Sequence, residues 1–354
     1  MLIEMYGKNI RLMSVKPNIN FSKEKEKFLS EIVKIFTHKT SIKTILFKIN
    51  NADDTIVDTS NKVKNVKIKF GIPFFADDNN YTSNFGLQWN KFKKTQLDSN
   101  NGSSISEDRF FKATGWSKEE LNDKLFLDVG CGTGRFSEII LKYGGKVISL
   151  DYSNSVFAAK ENLCSFPKCL VIQGDLHNLP FKKETFDYII CLGVLQHTPN
   201  VEKAFKSIVP FLKRGGKICV DYYWKRMITL LDAKYLIRIF TKNINENKLW
   251  DFINKIHPYF YFISNVLISI PLVGIYLKRL IPVANYKNVY NLSKENLKIW
   301  SLLDTYDAIS PKHDNPQKSE DVKKWASDSN LININVLHAG HLVVRGKREG
   351  RNSN

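Results

Sequence analysis

The sequence predicts an α/β protein built on a doubly wound, mainly parallel sheet that ends in an antiparallel hairpin. Three observations carry this. From Leu125 onward, short apolar runs alternate with helical patterns: "LFLDVG", "KVISLDYS", "CLVIQGD", "FDYIICLG" and "GKICVDYY". That rhythm is the mark of strand-helix-strand units stacked into a parallel sheet. The first run ends in an acid and passes straight into Gly130, Gly132 and Gly134, ahead of the helical pattern "RFSEIILKYG". Finally, "LININVLHAGHLVVRGKR" holds two strands separated only by a short turn around Gly340, too close for a parallel crossover, so they pair antiparallel.

Composition bounds the rest. A chain of 354 residues, 43% of them hydrophobic, can bury a sizeable core. The net charge of +18 invites a nucleic-acid reading, yet Arg supplies only ten of the 53 basic residues. A phosphate-reading surface would draw more on bidentate Arg, so solvated lysines explain the charge better and nucleic acid is disfavoured as a partner. Cys131, Cys164, Cys169, Cys191 and Cys219 contain no C-x-x-C pair, and no secretory signal precedes them. A reduced, cytoplasmic setting without a cysteine metal site is expected.

Along the chain, residues 1–80 read as an accessory unit. It has a charged helical pattern ("FSKEKEKFLSEIVKIF") followed by half-buried strands in "TILFKI" and "KVKNVKIKF", the second ended by "GIP". Residues 81–223 form the core with its leading helices, and the aromatics of "YTSNFGLQWNKFKKTQLD" and "SEDRFFKATGW" are expected to be core contacts. Residues 224–318 are a helical insertion, and 319–354 return to the core through a helix ("SEDVKKWASDSN") and the hairpin.

The glycine loop lies between a strand and a helix, where nucleotide-type ligands sit in such sheets. Dinucleotide loops read G-x-G-x-x-G, but Arg135 stands where the last of those glycines would be. The pattern is acid-x-G-x-G-x-G instead. "LDVGCGTGRF" closely resembles motif I of the class I S-adenosylmethionine-dependent methyltransferases, whose fold is a Rossmann-like, seven-stranded sheet. The resemblance implies S-adenosylmethionine as cofactor. Asp128, Gly130, Cys131, Gly132, Thr133, Gly134 and Arg135 would form the loop around its methionine and ribose, with Asp128 in the polar network near the sulfonium and amino group. Asp151 ends the second strand and would take the ribose hydroxyls through its two oxygens, with Tyr152 beside the adenine. Asp175 would accept from the adenine amine and the Leu176 N–H would serve the ring, while Leu192 and Gly193 follow the fourth strand. Each acid alone reads equally well as a turn or cap residue, but together they stand in register.

Longer blocks from about Tyr81 to Arg348 ("FGLQWNKFKKTQLD", "RFFKATGW", "LGVLQHTPN", "LLDTYDAISPKHDNPQ") resemble a group of bacterial methyltransferases. Their genes often accompany surface-glycan or other specialised biosynthesis, and many begin with a zinc-ribbon-like module. "VKIKFGIPFF" is similar to the tail of that module, but its cysteines are missing and no metal is expected. The resemblance implies a methyltransferase acting on a small-molecule or glycan-precursor acceptor. A membrane-borne lipid or quinone, RNA, and a SAM-binding module without activity are the alternatives.

Methyl transfer to a hydroxyl needs a base, and His197 in "LGVLQHTPN" is the candidate, although it reads equally well as a packing residue. Asp304, Tyr306 and His313 in "LDTYDAISPKHDNP" are candidates for the acceptor pocket. Cys131, inside a tight turn with no activating neighbour in sequence, is not expected to be a nucleophile. Pro258 to Leu277 is twenty residues without a charge. A single span would strand the two ends of one sheet on opposite sides of a bilayer, so a lid packed near His197, or a peripheral membrane contact, is expected.

Overall fold

The computed structural model describes residues 19–37, 55–57, 66–76, 80–226, 233–272, 274–277 and 281–350. The expected strand at 44–49 and the start of "KVKNVKIKF" lie outside them. The strands are β1 (Thr55–Val57), β2 (Val66–Lys69), β3 (Ile72–Phe74), β4 (Leu125–Val129), β5 (Lys146–Asp151), β6 (Cys169–Gln173), β7 (Phe186–Cys191), β8 (Leu212–Tyr222), β9 (Leu331–Ala339) and β10 (His341–Arg348). The helices are α1 (Ile19–Ile32), α2 (Ser83–Lys91), α3 (Asp98–Asn101), α4 (Ile105–Thr114), α5 (Lys118–Leu121), α6 (Arg135–Lys142) and α7 (Val156–Leu163). They continue as α8 (Val201–Ile208), α9 (Ala233–Thr241), α10 (Glu246–Leu267), α11 (Gly274–Leu277), α12 (Lys294–Ile309) and α13 (Ser319–Asp328).

The strands form a single sheet in the order β1-β2-β3-β6-β5-β4-β7-β8-β10-β9. The chain enters the parallel part at β4, winds outward through β5 and β6, then returns to the other side for β7 and β8. The winding reverses between β4 and β7, which opens a crevice at their carboxyl ends. β10 pairs antiparallel with both β8 and β9, with Gly340 at φ +83° in the connection, as the short spacing requires.

Alternation along the strands explains why both faces are covered. Leu127, Ile148 and Leu150 share a core with Leu29 and Ile32 of α1, Phe205 of α8 and Val322 of α13. Phe126 and Val147, one position away, share the opposite core with Phe110 of α4, Ile140 of α6 and Val156 of α7. Side chains two residues apart point the same way, and a strand buried on both faces is apolar throughout.

The N-terminal strands are part of this sheet. β3 pairs parallel with β6 at Phe74 and Gln173 and antiparallel with β2. "GIP" does not merely end the second strand: Phe70 and Gly71 both have positive φ, the geometry of a tight hairpin turn, and Ile72 starts a strand of its own.

The insertion leaves and re-enters at one point. Gln317 N–H donates to the Tyr223 carbonyl at 2.8 Å, and Lys225 N–H to that of Gln317 at 2.9 Å. The segment from Pro258 is no separate lid near His197. Pro258 lies inside α10, whose buried side chains Leu249, Ile253, His257 and Ser264 face inward and which packs against α12 and α2. No helix among the described residues is long and apolar enough to cross a membrane.

Candidate active site

A cavity of ≈ 420 Å³ opens where the strands end. β4, β5, β6, β7 and β8 deliver to it the glycine loop, Asp151, Asp175, Gly193 and Tyr223, and β10 adds His341. α2 and α12 close it from above with Phe85, Trp89, Trp300 and Asp304.

The loop is shaped by backbone demands. Gly130 has φ +75°, and a Cβ there would collide with Val194. Gly134 has φ +85°, and its Cβ would lie 2.7 Å from Leu163. Only glycine satisfies both limits. Gly132 N–H donates to Asp151 Oδ2 at 2.9 Å, so the loop after β4 is pinned to the end of β5. Asp151 Oδ1 also accepts from the Ser153 N–H at 2.8 Å and the Ser153 hydroxyl at 2.7 Å. Of about four lone-pair positions on a carboxylate, donors among the described residues engage three, and the remaining one is on Oδ2.

At the far side of the same end, Asp175 Oδ1 accepts from the His177 N–H at 2.8 Å. Tyr81 meets Tyr152 edge to face, ring centroids 5.7 Å apart, and burial together with the nearby Asp175 pushes its phenol well above the usual range. Two carboxylates, an aromatic pair and a loop without side chains suit a ligand carrying hydroxyls, a flat ring and a positive charge.

His197 is buried in a 3₁₀ turn after β7. Its Nδ1 lies 3.0 Å from the His313 carbonyl oxygen. A carbonyl only accepts, so Nδ1 carries the proton and Nε2 presents a lone pair. Among the described residues nothing pairs with Nε2, and the ring lines the cavity between Phe85 and Tyr223 at 5.1 and 5.5 Å.

Four expected residues stand elsewhere. Asp128 lies behind the loop, 1% exposed, accepting from the Ser137 hydroxyl at 2.7 Å. Burial pushes its pKa up to about 7, and its role is to tie β4 to α6. Gly134 shapes the loop without lining the cavity. Tyr306 packs with Leu249 and Ile253, its hydroxyl donating to the Glu246 carbonyl at 3.3 Å, because its face of α12 looks toward α10. His313 contributes its carbonyl, while its ring packs edge to face on Tyr81 at 5.3 Å. Asp304 does line the cavity. It accepts from the Tyr286 hydroxyl, and burial pushes its pKa up to about 7. Burial likewise drives the Cys131 thiol far above its usual range, which leaves it inert as a nucleophile.

Several other lining residues, Arg135 apart, were not singled out from sequence. Tyr81, Phe85 and Trp89, expected as core contacts, face the cavity instead. Their spacing of four residues, one helical face, was the available signal. Arg109 pairs with Asp221 at 2.9 Å, and Asp221 also accepts from the Gly193 N–H. Arg135, 8% exposed, donates to Ser106 Oγ at 2.7 Å and Gln96 Oε1 at 3.0 Å, and its guanidinium lies 5.6 Å over the Trp300 ring. Burial, with Arg109 nearby, lowers its pKa to about 10. No sequence signal joined these partners, which are separated by up to 165 positions along the chain (300 − 135).

This strand order, with a glycine loop at the reversal and acids at or just past the ends of the next two strands, is that of a doubly wound, Rossmann-like sheet with its ligand crevice at the switch point. Residues 127–220 match the family described as "Methyltransferase domain". Among curated proteins, the ubiquinone biosynthesis O-methyltransferase of Coxiella burnetii is 28% identical over 144 residues, 39% of this chain and 59% of that one. The sterol 4-C-methyltransferase of Caenorhabditis elegans is 32% identical over 111 residues, 29% of this chain and 32% of that one. The chain thus spans less than two thirds of the length of these relatives. Among solved structures, magnesium protoporphyrin IX methyltransferase of Synechocystis PCC 6803 with bound SAH has a TM-score of 0.40 and 14% identity, covering 76% of this chain and 97% of that one.

Proposed function

We propose that this protein transfers a methyl group from S-adenosylmethionine to a small-molecule acceptor, with His197 as the base. The carrying observation is that one cavity holds both the glycine loop with Asp151 and an imidazole with its Nε2 lone pair unengaged. S-adenosylmethionine, when bound, supplies an electrophilic methyl on a sulfonium centre.

The chain's own residues do the rest. Gly130 to Arg135 give a backbone that admits close approach, Asp151 offers its remaining lone pair to a ribose hydroxyl, and Asp175, Leu176 and Tyr152 face the adenine end. Leu192 and Gly193 border the methionine end, and Arg109, held by Asp221, offers a cation there. The acceptor end is aromatic, with Tyr223, Tyr286, Tyr290 and Trp300 around it. Such walls suit a flat ring or the apolar face of a sugar, so aromatic compounds and glycan precursors both fit. His197 Nε2 would remove the acceptor proton while the His313 carbonyl stabilises the imidazolium through Nδ1–H.

A second reading, a membrane-borne lipid acceptor, is favoured by the apolar outer surface of the insertion and fits the quinone and sterol chemistry in the relatives' names. Incubation with methyl-labelled S-adenosylmethionine and a cell extract depleted of small methylated products tests the class of acceptor. Label in a low-molecular-weight or lipid product is expected, and label confined to RNA would overturn the reading.

A further inference from the structure

We propose that the outer face of α9, α10 and α11 is a docking surface for an anionic lipid bilayer. Among the described residues, every strongly exposed large hydrophobic side chain except Phe70, Trp224 and Ile332 lies between Leu236 and Val289. On α10 the exposed set is Phe252, Tyr259, Phe262, Ile263 and Val266, spaced as one helical face opposite the buried Leu249, Ile253, His257 and Ser264. α9 adds Leu236, Ile239 and Phe240, and the turn before α11 adds Leu272, 93% exposed. Scattered exposed apolar residues mean little, but here they gather on one insertion, whose helices α9 and α10 both pack against α12, and such a concentration marks an interaction site.

Charge selects the occupant. From Phe252 to Leu277 Lys255 is the lone charge, and the one exposed acid beside it on α10, Asp251, is outnumbered by the exposed Lys242, Lys248 and Lys255. Lys242 is exposed just before α10 and Lys248 in its first turn. An apolar face bordered by cations complements anionic headgroups over acyl chains, and the phenols of Tyr259 and Tyr276 suit the boundary between them. A second copy of the chain would set these cations against themselves across a two-fold interface. With no described helix able to span a bilayer, the face rests on the membrane.

The layer behind this face carries the site. Asn285 donates to Ser264 and Asn265 of α10 at 3.0 and 3.1 Å, and its neighbour Tyr286 lines the cavity. Docking does not depend on the methyl-transfer reading. Only its use, admission of a lipid-borne acceptor, rests on that reading.

The test is flotation of the full chain with phosphatidylglycerol-containing vesicles and with phosphatidylcholine alone, alongside sedimentation velocity and S-adenosylhomocysteine calorimetry. The unaltered protein should float with anionic vesicles and bind neutral ones more weakly. F262D/L272D should reduce flotation about tenfold or more, with thermal midpoint and S-adenosylhomocysteine affinity unchanged, while I332D should float normally. Failure of the unaltered protein to float, or normal flotation of F262D/L272D, would overturn the proposal. So would a dimer that F262D/L272D dissociates and that does not float. Loss of S-adenosylhomocysteine binding alone would count against the methyltransferase reading and leave docking standing.

Discussion

The His197 imidazole donates through Nδ1 to the carbonyl oxygen of His313, 3.0 Å away across 116 positions of the chain. This bond joins the turn after β7 to the segment that follows α12. Asn315 reinforces it, its N–H donating to the Gln196 carbonyl at 2.8 Å and its side-chain amide to that of Thr198 at 2.9 Å. The imidazole is therefore oriented by the returning end of the insertion, and the nitrogen it leaves without a partner among the described residues is Nε2.

Replacing His197 with Ala should lower kcat by about 10²–10⁴, the usual range for a positioned base, while S-adenosylhomocysteine affinity stays within about twofold. Calorimetry beside a turnover assay separates the two. Unchanged turnover would reduce His197 to a packing residue.

Asp151→Ala should weaken S-adenosylhomocysteine binding by on the order of 2–4 kcal/mol, losing a charged acceptor and the pin on Gly132 together. Ser153→Ala, which frees a lone pair on the same carboxylate, should not weaken it. NAD should show no binding heat in either protein. Equal affinity in Asp151→Ala and the unaltered protein would sink the assignment.

Asp128 titrates at about 7 in the folded chain because burial disfavours its charge. Its folded pKa lies above the unfolded value of about 3.9, so the stability it contributes is full below that value and is lost as pH rises through about 7. Asp128→Asn should flatten the stability profile between about pH 4 and 7 and cost little at neutral pH. An unaltered slope in chemical denaturation would show that the carboxyl is not the titrating group.

His257 has the opposite sign. Burial lowers its pKa to about 4, and Nε2 sits 2.8 Å from the Ser301 hydroxyl between α10 and α12. Its contribution is present above the unfolded value of about 6.5 and is lost as pH falls through about 4, a few kcal/mol in all. His257→Gln should remove this acid sensitivity. A melt series from pH 7 to 4 that falls as steeply in the variant would refute the attribution.

The parallel sheet, its order-reversing loop and the closing hairpin were legible in the sequence because they rest on local signals. These are period-two burial, an acid-glycine turn between strand and helix, and a connection too short for a crossover. That Asp151 and Asp175 would border one cavity was legible for the same reason: one ends β5, the other follows β6 by two residues, and strand ends in such a sheet converge. Asp128 stands one residue before the end of β4, and its carboxylate turns to the Ser137 hydroxyl instead of the cavity.

The sequence by itself determined which residues would be strand ends, loop and helices, for those choices follow from backbone geometry and nearest-neighbour patterning. Only the tertiary structure decided which faces met. It turned Tyr81, Phe85 and Trp89 to the cavity and Tyr306 away from it, paired Arg109 with Asp221, and exposed the outer side of α10 while burying the inner one. An amphipathic or apolar helix records that it has a face to bury, but which neighbour covers it depends on packing between segments far apart along the chain. No local pattern encodes that.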